Sequence, residues 1–262
     1  MVDLHHHLLP GLDDGPKDIE TSLAMARMAA ADGITHIVAT PHANTRYPFT
    51  PARNSELIEE IRQTLRQEGV SITLGLGCDF HLSYENIQDA LSHPTKYALN
   101  GTEYVLIELP DYIIPPRLDD SIYELRLAGI VPVLTHPERN PALQKNTARL
   151  AEWLRTGMLV QITTSSVLGQ MGSTAERMAH RLLADRWVHF LATDAHNLDQ
   201  RPPKMRAAYD LVAKKYGAAY AERICVENPL AVFEGRPLPP QDEALRLYTE
   251  RERPWWKRAF GV

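Results

Sequence analysis

The chain opens Met1-Val2-Asp3-Leu4-His5-His6-His7-Leu8, and the reading of that stretch decides the order of everything after it. Val2–Leu4 is a short strand candidate. It runs into three histidines where a dinucleotide-binding fold would place a glycine-rich phosphate loop. His5 and His7 stand two apart, so on extended backbone they project to one side and His6 to the other. His6 therefore reads as structural. The run is too short for a purification tag and lies inside a strand, so it reads as native.

Outward from this stretch, short apolar runs alternate with helical patterns. The further strand candidates are Ile34–Thr40, Val70–Gly77, Tyr104–Leu109, Val131–Thr135, Leu159–Thr163 and Val188–Thr193. Leu23, Ala26 and Ala30 mark one helix face ending at Asp32-Gly33; Leu57, Ile58, Ile61 and Leu65 mark another that Gly69 stops. Asp119–Ala128, Thr147–Arg155, Thr174–Ala184 and Lys204–Lys215 supply the remaining helices. Strands alternating with helices predict a parallel sheet with helical crossovers. A closed barrel and an open doubly wound sheet both satisfy that pattern.

Position is the informative feature of the acids and histidines. His5 and His7 end the first strand, His42 the second and Asp79 the third; Glu108 lies near the end of the fourth, His136 follows the fifth, and Asp194 and His196 follow the seventh. Parallel α/β folds gather the C-terminal strand ends on one face, where the chemistry sits. Six of seven strands thus deliver metal-capable side chains to one place. Imidazole with carboxylate suits Zn, Mn, Fe or Co better than an all-oxygen magnesium cage. An acid such as Glu108 inside an apolar strand costs several kcal/mol unless paired or metal-bound. Isolated His36, His93, His180 and His189 read as packed or surface histidines.

The totals bound the alternatives. At 262 residues the chain suits one large domain. A formal charge of -5 argues against broad nucleic-acid binding. Cys78 and Cys225 have no paired spacing, no apolar run approaches the ~20 residues of a membrane helix, and the N-terminus lacks a secretory pattern. These features predict a soluble, cytoplasmic protein. Pro237-Leu238-Pro239-Pro240 reads as a domain end, dividing the chain into 1–238 and 239–262. A charged helix over Glu243–Arg251 and an aromatic tail, Pro254–Phe260, are expected beyond it. The tail reads as packing against the barrel or a neighbouring subunit, with a membrane surface as the alternative.

Assembled, these residues resemble the polymerase-and-histidinol-phosphatase (PHP) superfamily, and within it the bacterial manganese-dependent protein tyrosine phosphatases of the CpsB/CapC/YwqE type. The resemblance spans roughly residues 1–235. It rests on His5-His6-His7-Leu8-Leu9-Pro10-Gly11-Leu12-Asp13-Asp14-Gly15, Ala39-Thr40-Pro41-His42, Gly77-Cys78-Asp79-Phe80-His81, Ile107-Glu108-Leu109-Pro110, His136-Pro137-Glu138-Arg139-Asn140 and Thr193-Asp194-Ala195-His196-Asn197. It implies a distorted (β/α)7 TIM-like barrel holding two to three divalent ions, Mn²⁺ foremost, with Fe, Zn, Co or Mg as alternatives. His5, His7, Asp79 and Asp194 would hold the first, Asp79 would bridge to a second completed by Glu108 and His136, and His42, His196 and Asp14 would hold the third. Asp13 is the alternative to Asp14. Where the family usually has Glu, this chain has Asp79, one methylene shorter, so bridging requires that strand end to sit closer to the ions.

The implied activity is phosphotyrosine hydrolysis by a hydroxide shared between metals, on the tail of a membrane-associated tyrosine kinase of capsule or exopolysaccharide synthesis. Arg139, three residues beyond His136, is the leading phosphate clamp, because guanidinium binds phosphate bidentately. Arg201 is the second, and matches a substrate-binding arginine of the family. His81 or a metal-bound water would protonate a poorer leaving group. Cysteine-based phosphatase chemistry is excluded, because it needs an arginine six positions after the nucleophile, where Tyr84 and Ala231 stand. A small-molecule phosphatase or phosphodiesterase, such as one for histidinol phosphate, and a non-catalytic metal scaffold are the competing readings.

Overall fold

A computed structural model describes residues 1–110 and 113–248. Among these residues are nine strands: β1 Val2–His6, β2 His36–Ala39, β3 His42–Ala43, β4 Thr73–Leu76, β5 Asp79–His81, β6 Tyr104–Glu108, β7 Val131–Thr135, β8 Leu159–Thr163 and β9 Phe190–Ala192. Every pairing is parallel, in two sheets ordered β1-β2-β4 and β3-β5-β6-β7-β8-β9.

The extra strands arise because two expected strands are each broken once. Thr40-Pro41 separates β2 from β3; Pro41 has no N–H to continue the ladder. Gly77-Cys78 separates β4 from β5. Hydrogen bonds run on across the interruption at unchanged register, Ala39 opposite Leu76 and His42 opposite Asp79: Thr40 N–H donates to His6 O at 2.9 Å, Gly77 N–H to Ala39 O at 2.9 Å and Asp79 N–H to Pro41 O at 3.1 Å. A Cβ on Gly77 would lie 2.7 Å from Leu99 Cδ2 and 3.0 Å from Val38 Cγ1, so any larger residue there requires its neighbours to shift.

Taken with these breaks, the seven sequence strands follow one another in space in chain order. The last returns to the first: His6 bridges Ala195, Asp194 N–H donates to His5 O at 2.8 Å, and His7 N–H donates to Ala195 O at 2.9 Å. This sequential order is that of a distorted barrel, and it departs from the reversal that defines a doubly wound sheet. The ladder is not continuous around the ring, because it divides into the two sheets.

Strand alternation separates core from site. On β6, Tyr104, Leu106 and Glu108 share one face. The first two join Val2, Leu4, Val38, Val133 and Phe190 in a small apolar cluster drawn from five strands, and Glu108 stands beyond it. A larger cluster packs the outer strand faces against helices such as Ile19–Ala31, Pro51–Gln67 and Ser173–Ala184.

The helix expected over Glu243–Arg251 does not form in its described part, 243–248. That segment is strapped to the domain instead: Leu245 N–H donates to Asp185 O at 2.8 Å, Trp187 Nε1–H donates to Leu245 O at 2.8 Å, and Arg246 pairs with the buried Asp185. Backbone groups that a helix would satisfy internally find partners on the barrel. The aromatic tail lies outside the described residues. No helix among the described residues is long and apolar enough to cross a membrane.

Candidate metal centre

Nine side chains singled out above meet at the C-terminal strand ends. Asp194 Oδ1 lies 3.2 Å from His5 Nε2 and 3.4 Å from His7 Nε2. Asp79 Oδ2 lies 3.5 Å from His5 Nε2 and 3.1 Å from His42 Nδ1. Asp14 Oδ1 stands 3.3 Å from both His42 Nε2 and His196 Nε2. Glu108 Oε1 is 3.6 Å from His136 Nε2. Four groupings arise whose ligand atoms fall within 4.8 Å of one another: His5, His7 and Asp194; His5, Asp79 and His136; His42, Asp79 and Glu108; and Asp14, His42 and His196 with His7. Asp79 belongs to two of them, so the shorter side chain still reaches the middle of the cluster.

The donor set fits divalent ions on a second count. His42 Nδ1, His196 Nε2 and both Asp79 oxygens are buried and make no hydrogen bond among the described residues. Buried polar atoms are almost always hydrogen-bonded. Here the unpaired atoms belong to the ligand groupings, where cations would supply the missing partners.

Outer contacts orient the imidazoles. His7 Nδ1 meets Asp13 Oδ2 at 2.7 Å, and Asp13 also accepts from Gly15 N–H at 2.9 Å and His42 N–H at 3.0 Å. Asp13 is thereby committed behind His7, and Asp14 is the acid facing His42 and His196. His5 Nδ1 meets Gln161 Oε1 at 2.9 Å. Each partner turns Nε2 toward the centre. Gln161 went unread in the sequence, although an amide inside the apolar strand Leu159–Thr163 was a signal for it. The Glu138 carboxylate was likewise missed: it is buried, and its Oε1 accepts from Thr163 N–H and Oγ1–H at 3.0 Å each.

Backbone strain marks the same place. His136 and Asp194 have φ of 33° and 54°, and left-handed non-glycine residues cost of order 1–3 kcal/mol where the surroundings hold them.

Electrostatics follow from burying acids among imidazoles. Burial presses the His5 pKa down, but Asp194 and Asp79 outweigh it and hold it at about 9. For His42 the same contest, with Asp14 and Asp79 prevailing, ends at about 11. Burial and the neighbouring His7 keep His196 down at about 4, and burial with Arg139 keeps His136 well below its ordinary value. Asp79 and Asp194 remain ionised against burial because histidines, and Arg201 beside Asp194, face them. Glu108 is pushed up by burial and by Asp79.

Arg139 and Arg201 line the cavity of about 280 Å³ over this cluster, together with Asn44 and His81. Both arginines pair with Asp194 Oδ2, Arg139 through Nη1 at 2.5 Å. Asp194 therefore presents Oδ1 to the histidines and Oδ2 to the guanidiniums. His81 Nδ1 lies 3.7 Å from Glu108 Oε2.

The remaining histidines stand apart. His36 packs on Phe233, His93 pairs with Asp89, His180 with Tyr216, and His189 accepts from Val160 N–H. His6 is fully buried, its ring clear of the ligand groupings. Cys78 and Cys225 are buried free thiols whose pKa values burial raises; this suits packing, not nucleophilic work.

Fold and site together define a barrel-like parallel α/β protein with a histidine–carboxylate centre, suited to metal binding, at its C-terminal strand ends. The family model for capsular polysaccharide synthesis, CpsB/CapC, matches residues 1–234. The chain belongs to that family. It is 34% identical to the tyrosine-protein phosphatase YwqE of Bacillus subtilis over 219 residues, covering 83% of this chain and 86% of YwqE. With the tyrosine-protein phosphatase CpsB of Streptococcus pneumoniae it shares 31% identity over 239 residues, 89% of this chain and 98% of CpsB. A solved structure from work on YwqE and CpsB, described as metal-dependent tyrosine phosphatases, superposes with a TM-score of 0.86 at 30% identity, covering 94% of this chain and 98% of that one.

Proposed function

We propose that this protein is a metal-dependent phosphatase that hydrolyses phosphotyrosine on a tyrosine kinase serving capsule or exopolysaccharide synthesis, in the cytoplasm, and that residues 1–238 carry the activity. The observation that carries this reading is the convergence of His5, His7, Asp14, His42, Asp79, Glu108, His136, Asp194 and His196 beneath two cavity-lining arginines. Tyrosine phosphatases of the same family cover nearly the whole chain.

Divalent ions held by these nine residues, Mn²⁺ foremost, would lower the pKa of bound water and neutralise phosphate charge. The protein's own part is positioning. Gln161 and Asp13 fix which nitrogen of His5 and His7 faces inward. Arg139 and Arg201 hold cationic N–H groups at the cavity wall, where charge gathers on the phosphoryl oxygens. A tyrosyl oxygen, with a pKa near 10, departs with little protonation. Among the described residues, those lining the cavity are all polar or charged. That suits a phosphorylated side chain projecting from a protein.

The test is an assay of metal-stripped protein on a phosphotyrosine peptide and on histidinol phosphate, with Mn²⁺, Zn²⁺, Mg²⁺ or Co²⁺ restored and His136→Ala as control. Metal-restored phosphate release from the peptide, lost in the variant, is the expected result. Turnover of histidinol phosphate alone would overturn the substrate.

A further inference from the structure

The turn after β3 makes contacts that the ligand set does not account for. Asn44 lines the cavity, and its Oδ1 accepts from Arg46 N–H and Tyr47 N–H, both at 2.9 Å. Its own N–H donates to Tyr47 O at 3.0 Å. Four residues are thus closed into an Asx-type turn with its own hydrogen bonds. The turn lays the half-buried Tyr47 ring parallel to His42, with centroids 5.9 Å apart and planes 11° from parallel. The Arg46 guanidinium rests over the Tyr47 ring at 5.0 Å.

His42 needs such a neighbour more than the histidines beside it. His7 and His196 each spend one ring nitrogen on an orienting contact, His7 with Asp13 and His196 with Asp194 O at 2.9 Å. In His42 both nitrogens face carboxylates of the centre, Nε2 toward Asp14 and Nδ1 toward Asp79. Neither nitrogen has a partner outside the centre, as His7 has in Asp13, so packing on the ring face helps to set its plane. Offset aromatic stacking does this.

We infer that Tyr47 is a positioning residue: by fixing the plane of His42 it sets the affinity of the Asp14–His42–His196 grouping for a divalent ion. This rests on the metal reading above. Asn44 and Arg46 serve it by holding the turn and covering the tyrosine ring.

The experiment compares Mn²⁺ binding to stripped wild type, Tyr47→Ala and Tyr47→Phe, by calorimetric titration and by ions retained per chain. Tyr47→Phe keeps the ring and is expected to match wild type. Tyr47→Ala is expected to weaken one class of ion about tenfold, the lower end for lost outer support, and to leave the others unchanged. Wild-type affinity at every site in Tyr47→Ala would overturn the inference. So would equal weakening of all sites with a lowered melting temperature, which would make Tyr47 a general packing residue. A wild-type chain that binds no ion would sink the metal reading and this role with it. Normal ion binding without phosphotyrosine turnover would sink the substrate alone.

Discussion

Asp194 carries two opposed duties at the centre. One oxygen faces His5 and His7 and the other takes both arginines, so its charge is shared between a metal-type grouping and a phosphate-type wall. Arg139→Ala should lower kcat/KM on a phosphotyrosine peptide by roughly 10²–10³-fold, the range for losing one preorganised charge stabiliser. Arg139→Lys should restore only part, because ammonium lacks the planar fork. Steady-state kinetics on the three proteins checks this, and a full rescue by lysine would contradict it. Gln161→Ala and Asp13→Ala each free an inward-facing imidazole to turn. Each should weaken Mn²⁺ binding about 10–100-fold with the fold intact, read by titration beside circular dichroism. Asp14 and Asp13 illustrate what a local motif leaves open. Adjacent acids on one loop are equivalent until backbone geometry sends one behind His7 and the other toward His42 and His196.

Elements explain why the acids arrive together. The ligand residues stand at or just beyond the C-terminal ends of parallel strands, and two of these strands are interrupted just before the ligand, at Thr40-Pro41 and Gly77-Cys78. His42 and Asp79 follow the interruptions and pair across β3 and β5 as register partners. Gly77→Ala should therefore cost about 1–3 kcal/mol through overpacking against Leu99 and Val38. A lowered thermal midpoint together with weaker ion binding is the expected outcome; an unchanged midpoint would show that Leu99 gives way freely. The strand candidates were legible because period-2 alternation and turn residues are local signals. The breaks were not, since Thr40-Pro41 and Gly77-Cys78 read as ordinary strand ends. The charged helix expected over Glu243–Arg251 is absent from its described part, 243–248, for the opposite reason. Local helical preference lost to hydrogen bonds that Asp185 and Trp187 offer from far along the chain.

At the scale of the whole molecule, the centre is a buried pool of charge whose state depends on what occupies it. In the protein alone His5 and His42 are held protonated, up to about 9 and about 11. A histidine whose folded pKa exceeds its unfolded value, near 6.5, contributes stability that is full below the unfolded pKa. That contribution is lost as pH rises through the folded one. The stripped protein should thus melt at a progressively lower temperature between pH 6.5 and 10, as the acids lose their cationic partners. Mn²⁺ should flatten that decline, since it replaces protons as counter-charge and binds the deprotonated ligands. Melting curves at pH 6.5, 8 and 9.5 with chelator or with Mn²⁺ test this; parallel declines in both would refute it.

The residue types, their spacing and their place at successive strand ends were determined by the sequence alone, because strand periodicity and the common direction of parallel strands are rules of covalent geometry. From these came the parallel α/β class, eight residues of the cluster and Arg139 beside them; Asp14 was implied only by the family resemblance. Tertiary structure alone decided that the strands run in sequential order around a ring, that Asp13 backs His7 while Asp14 faces the centre, and that Gln161 and Tyr47 steady two of the imidazoles. Those contacts join residues as far apart as His6 and Ala195, or hinge on rotations of a few bonds within a loop. Only the packed molecule fixes either.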